Sequence, residues 1–100
     1  MSTDVQIDEK IGQTVKEPSK YRVVFHNDDR TPMEFVVELL MTIFKHTQVT
    51  AEELTLKVHN EGTATVGVYA YEIAEAKGVE ATTLSRANGF PLVITVEEDA

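Results

Sequence analysis

Between a strand-like run ending at Phe25-His26 and an apolar helical stripe, the chain reads Asn27-Asp28-Asp29-Arg30-Thr31-Pro32-Met33-Glu34-Phe35-Val36. This junction constrains the fold more than any other stretch. Thr31, Pro32 and Glu34 fit the N-cap, first and third positions of a capping box with proline at the first helical residue, so a helix is expected to start here. A turn that needs only local side-chain to backbone hydrogen bonds is served by a single Asx residue, whereas Asn27, Asp28 and Asp29 supply three. The surplus acceptors point to a cationic ligand. The competing reading is a solvated turn whose carboxylates simply favour the helix N-terminus.

The neighbouring segments follow from their periods. Tyr21, Val23 and Phe25 alternate with Arg22, Val24 and His26 as in a half-buried strand, although Val24 blurs the pattern. Downstream of the capping box, Val36, Leu39, Leu40 and Ile43 recur at helical spacing, widened by Phe35 and Phe44. Thr50 and Glu53 offer a second capping box with Val49 and Leu54 as its hydrophobic staple, and Gly62 supplies a left-handed stop. A β-like stretch, Thr63–Ala70, places Ala64, Val66 and Val68 on one face. Residues 72–87 read as a helix interrupted by Gly78, a poor helix former, and residues 91–96 as a last strand with Leu92, Ile94 and Val96 on one side. Residues 1–19 carry no sustained period and end in Glu17-Pro18-Ser19, the composition of a disordered N-terminal extension. The domain is thus expected to span residues 20–100 in the order β-α-α-β-α-β. An α+β sandwich, with three helices on one face of a three-stranded antiparallel sheet, buries all these stripes at once.

Composition limits what such a chain can do. One hundred residues support one modest core, and a shallow surface pocket rather than a large enclosed cavity. Nine Lys and Arg against seventeen Asp and Glu give a formal charge of -8, which argues against nucleic acid and anionic membranes and suits a basic ligand. The absence of cysteine removes disulfides, thiolate nucleophiles and cysteine-based zinc sites, and no stretch looks like a signal peptide or spanning segment. A cytoplasmic protein is expected. His26, Asp28, Asp29 and His59 are metal-ligand types and could serve acid-base chemistry, but no His-Glu-x-x-His, nucleophile elbow or glycine-rich phosphate loop accompanies them. Neither metal, cofactor nor catalysis is therefore expected. His59, near the end of the second helix, reads either as a half-buried structural histidine or as a third acceptor joining Asn27 and Asp28 around an ammonium group. Met33, Val36, Val58 and Leu92 are each ordinary core residues, yet together they would line an apolar socket beside that cradle.

From about Tyr21 to the final strand, the chain resembles the ClpS adaptor family, whose members capture the free N-terminus of proteins destined for a Clp protease. The family motif, Asn-Asp-Asp, one variable residue, then Thr-Pro-Met-Glu-Phe-Val, is matched by Asn27 to Asp29 and Thr31 to Val36; Val58-His59, Gly62, Gly67-Val68 and Pro91-Leu92 also fall in register. The resemblance implies the βααβαβ fold shared with the ribosomal stalk-protein C-terminal domain, and a non-catalytic monomer that binds N-degrons. Asn27, Asp28 and His59 would hold the α-ammonium, Asp29 and Thr31 would shape the loop, and Met33, Val36, Val58 and Leu92 would surround a first side chain such as Phe, Leu, Tyr or Trp, with Met33 as gatekeeper. Glu72, Glu75 and Lys77 would dock onto the N-terminal domain of ClpA or a ClpC-like ATPase, and the N-terminal extension would reach toward its pore. Two departures stand out: Thr55, a pocket-wall position held by methionine in many members, would make the pocket roomier or less apolar, and Gly78, in place of a larger residue, would loosen the partner-facing helix. The alternative is a stalk-type interaction module without an N-terminus pocket, which would need none of Asn27, Asp28 and His59.

Overall fold

The computed structural model describes residues 19–99. The expected extension, residues 1–19, lies outside this range except for Ser19. Six elements follow in the expected order: β1 (Lys20–His26), α1 (Met33–Thr42), α2 (Gln48–Glu61), β2 (Thr63–Ala70), α3 (Tyr71–Ala87) and β3 (Val93–Glu98). The sheet is antiparallel with order β2-β1-β3, so β1 is hydrogen-bonded along both edges. Its inward residues, Val23 and Phe25, are fully buried against Val36, Leu39 and Leu40 of α1, Ala51 and Val58 of α2, and Ala74 and Ala81 of α3. Phe25 and Phe44 meet edge to face with ring centroids 5.5 Å apart, a favoured aromatic geometry.

The helix starts differ from the capping boxes expected for them. α1 begins at Met33 with Pro32 as its N-cap, and no side chain caps it; the Pro32 carbonyl accepts from the amides of Phe35 and Val36 at 3.1 and 3.2 Å. Thr31 lies one residue ahead of the cap: its amide and hydroxyl both donate to the Asp28 carboxylate, which draws the residue into the turn, and a charged acceptor makes these strong bonds. α2 begins three residues earlier than expected. Its cap is Thr47, whose hydroxyl accepts from the Thr50 amide at 3.2 Å, so Thr50 lies inside the first turn and Val49 is exposed rather than stapled. The stop at Gly62 is as expected: φ of 91° is left-handed, and its amide donates to the Val58 carbonyl at 2.9 Å.

In β2 the inward face is not Ala64, Val66 and Val68. Val23 pairs with Gly67 and Val24 with Thr65, so Val66 is an extra residue, and the face alternation slips beyond it. Val66 stays in the core, while Val68 emerges on the open side of the sheet, 45% exposed. The carbonyl of the bulged Val66 is met by the imidazole Nε2 of His46 at 2.6 Å, which supplies a partner for a backbone acceptor the irregular ladder leaves over. The slip also brings Gly67 and Tyr69 inward. The Tyr69 ring lies directly over Gly67, where any Cβ would collide with it.

α3 spans the sheet from β2 to β3. Gly78 is buried on the side of α3 that faces β3, where a Cβ would stand 3.3 Å from a Val96 methyl. Lys77, one residue earlier, donates from Nζ to the Ile43 carbonyl at the end of α1 (2.8 Å) and sits over the rings of Tyr69 and Phe44 at 5.3 and 5.9 Å. A cation is favoured at a helix C-terminus and over aromatic faces. This contact ties α3 to α1 across the core. Because Tyr69 is one wall of that arrangement, Gly67→Ala is expected to destabilise the fold by about 1–3 kcal/mol through overpacking. Chemical denaturation should show a lower midpoint with native circular dichroism retained below it.

Candidate functional site

At the end of β1 opposite the chain's entry into the sheet, the turn leading to α1 borders a cavity of about 230 Å3. Asp28 organises this turn. Its Oδ1 accepts from the backbone amides of Arg30 (2.8 Å) and Thr31 (2.7 Å), and its Oδ2 accepts from the Thr31 hydroxyl (2.9 Å). Partial burial alone would raise the Asp28 pKa. It is outweighed by these two amides, the Thr31 hydroxyl and the Arg30 charge, which together hold the carboxyl below the usual range. The group is therefore an anion at neutral pH, with acceptor capacity on Oδ2 beyond its bond to Thr31.

The turn is also anchored to α2. The Asn27 amide donates to the Gly62 carbonyl at 2.8 Å, so the left-handed stop of α2 and the end of β1 are fixed together. His59 lies in the last turn of that helix, exposed, and borders the same cavity as Asn27 and Asp28. On the apolar side, α1 presents Met33, 38% exposed at the rim, and Val36, buried one turn further on. α2 contributes Thr55 and Val58, and the segment before β3 contributes Leu92, all buried.

Every residue singled out for the pocket is thus part of it: Asn27, Asp28, Asp29, Thr31, Met33, Val36, Thr55, Val58, His59 and Leu92 all line this one cavity. Thr55, only 4% exposed, donates its hydroxyl to the Ala51 carbonyl at 2.7 Å, so its polar hydrogen is consumed inside the helix. Among the described residues no three His, Cys, Asp or Glu side chains gather as a metal site. The arrangement is acceptor-rich and anionic at one end and apolar at the other. It suits a cationic donor attached to a bulky apolar group.

Two supports were not apparent from sequence. Arg86, in the last turn of α3, donates to the carbonyls of Phe90 (3.0 Å) and Leu92 (2.8 Å), and Phe35 packs edge to face on Phe90 with centroids 4.9 Å apart. Together they hold the segment that presents Leu92. An arginine serving distant carbonyls leaves no periodic or motif signal.

The other candidate surface is on α3. Glu72 and Glu75 are exposed. The charge of Glu75 and its hydrogen bond to Tyr71 raise the pKa of that phenol, so the two side chains act as a pair. Lys77 is half-buried and engaged with Ile43. Of the three residues grouped on this face, Lys77 thus also bonds within the fold.

Comparison with known proteins adds the following. A family described as ATP-dependent Clp protease adaptor protein ClpS matches residues 16–95. Among similar proteins, the Clp protease adapter ClpS of Treponema denticola is 47% identical over 88% of this chain and 87% of its own length. That of Clostridium acetobutylicum is 41% identical over 98% of this chain and 99% of its own length. Among solved structures, Agrobacterium tumefaciens ClpS2 bound to L-phenylalaninamide is similar with a TM-score of 0.81 and 40% identity, covering 83% of this chain and all of that one.

The geometry predicts a specific pH response for Asp28. Its folded pKa is lower than its unfolded one, so its contribution to stability is fully present above the usual carboxylate range and is lost as pH falls through the depressed value. Asp28→Asn should lower the melting temperature at pH 7, and the gap to the parent protein should close in acid. A gap that stays constant from pH 7 down to pH 2.5 would mean that the carboxylate does not organise the turn.

Proposed function

The chain belongs to the ClpS family of Clp protease adaptors, and on that premise we propose that its cavity takes the first residue of a substrate protein, free amine and side chain together, for delivery to a Clp ATPase. The observation that carries this reading is the union in one cavity of Asn27, Asp28 and His59 with Met33, Val36, Val58 and Leu92. The ligand of the similar Agrobacterium protein, phenylalaninamide, has the same two ends: an α-ammonium and a bulky apolar side chain, with an amide where a peptide would continue.

In this reading the α-ammonium donates to Asn27 Oδ1, to the remaining lone-pair capacity of Asp28 and to a ring nitrogen of His59, which must be neutral to accept. The Asp28 anion offsets the ligand's charge. Asp29 and Thr31 shape the loop, and the side chain of the first residue enters between Val36, Val58 and Leu92 with Thr55 in the wall. Met33 at the rim crowds a side chain branched at Cβ, so Phe, Leu, Tyr and Trp are admitted and Val and Ile are not. No bond is made or broken, so the protein acts as an adaptor rather than an enzyme. Glu72 and Glu75 form the face offered to the N-terminal domain of a ClpA- or ClpC-like ATPase, and Lys77 holds that face in register with α1. Among the described residues no helix is long and apolar enough to cross a membrane, in keeping with a protein that works in the cytoplasm. The stalk-type alternative has no use for an acceptor-lined cavity.

Peptides differing only at their first residue test the assignment. N-acetylation of a Phe-starting peptide removes the positive charge and two donors, and should weaken binding by roughly 2–5 kcal/mol, at least about 25-fold in Kd. Equal calorimetric affinities for the free and acetylated peptides would overturn the proposal. Met33→Ala should bind Val- and Ile-starting peptides measurably while keeping its affinity for Phe. Continued rejection of both would move the gatekeeping to another rim residue.

A further inference from the structure

β3 is an edge of the sheet, and among the described residues no strand pairs with its outer side. Which backbone groups are left open follows from the ladder. The Asp99 amide donates to the Lys20 carbonyl at 2.8 Å, and along an antiparallel strand the residues bonded to one neighbour alternate with residues that are not. Val93, Thr95 and Glu97 therefore face β1, while Ile94 and Val96 turn their N–H and C=O groups outward. The same two residues stand opposite Phe25 and Val23, whose side chains belong to the core, so their own side chains lie on the helix side of the sheet. There they form one wall of a groove of about 340 Å3. Tyr71, Glu75 and Val79 of α3 form the other wall, and Gly78, whose Cβ would meet the Val96 and Ile94 methyls, lies between the two. Val79 is 59% exposed. The opposite edge of the sheet differs. β2 carries its extra residue, an irregularity that blunts an edge against pairing, whereas the β3 register runs on without a shift.

We propose that the β3 edge and its groove take an extended segment of a partner protein as a fourth, antiparallel strand. In chain order this segment carries a lysine or arginine and then apolar residues two and four positions later. Three features select it. The outward N–H and C=O groups of Ile94 and Val96 are spaced for the backbone of a strand, which a helix, having bonded its own groups internally, cannot supply. Residues of the incoming strand directly opposite Ile94 and Val96 put their side chains on the same face, into the groove beside Val79, and apolar groups fit there. Glu98 is next on that face and exposed, and Glu75 is exposed in the facing wall, so the position opposite Glu98 favours a cation. A second copy of this chain would bring its own charge of -8 to the same edge and be repelled.

The probe is the peptide acetyl-Thr-Lys-Thr-Val-Thr-Val-Thr-amide, whose blocked N-terminus keeps the result separate from binding in the acceptor-lined cavity. In the full chain the Ile94 and Val96 amides should exchange their hydrogens fast, and exchange should slow about tenfold at a free peptide concentration about ten times Kd. Thr95, already paired with β1, should be unchanged. The peptide N-methylated on both valines, and the one with glutamate for lysine, should each bind about tenfold more weakly or worse. Val79→Lys should weaken binding by a similar factor, and Val68→Lys, on the open side of the sheet, should not; both positions are exposed and tolerate the change. Failure to bind at up to about 1 mM peptide, or binding that leaves exchange at Ile94 and Val96 unaltered, would overturn the proposal. Undiminished affinity of the N-methylated peptide would do the same. So would slow exchange of both amides before peptide is added, because the edge would then already be covered by the chain itself or by a second copy.

Discussion

A strand paired on both edges cannot shift without breaking two ladders, and β1 is that strand here. Its two ends are therefore the fixed points from which the other elements take their positions. At one end the chain leaves the sheet into the Asp28 turn, is tied to the stop of α2 through Asn27 and Gly62, and enters α1. At the other end Ser19 borders a cavity with Tyr71 and Glu72 of the first turn of α3. Seven residues of strand hold these ends roughly 20 Å apart. The cavity beside the Asp28 turn and the first turn of α3 thus lie at opposite ends of a rigid element.

Much of this was legible in the chain itself. The pocket residues were readable because the strand-turn-helix junction is local: Asn27 to Val36 form one continuous segment, and its match to a family motif carried over the distant members, Val58, His59 and Leu92. What misled was competition between local turns. Thr31 has the right identity and spacing for an N-cap, but its amide and hydroxyl both bond to the Asp28 carboxylate three residues back, and the helix starts one residue later. Thr50 likewise has a suitable glutamate after it, yet Thr47 gives the helix an earlier start and its own cap. Spacing rules record which bonds are possible and not which prevail. Arg86 was invisible for a related reason, since its targets are backbone carbonyls, which every residue has.

The third helix shows how burial changes the meaning of a charge. Glu72, Glu75 and Lys77 look equivalent as a cluster, but only the two carboxylates are exposed, while the ammonium also bonds the end of α1 and lies over two aromatic rings. Gly78 beside it weakens an isolated helix by about 1 kcal/mol relative to alanine. In this helix it is buried on the side that faces β3, where a Cβ would stand 3.3 Å from a Val96 methyl.

The extra residue in β2 makes one more point. An irregular ladder is ordinarily a weak seam in a sheet, a place where water can compete for the backbone. Here the seam is sealed from outside the sheet, by an imidazole that reaches from the α1–α2 connection to the Val66 carbonyl. The donor is the N–H at Nε2, since a carbonyl can only accept. The sheet has, in effect, borrowed a hydrogen-bonding partner from a loop. The His46 position is therefore open only to side chains that can deliver a donor to that carbonyl, however freely the rest of the connection varies.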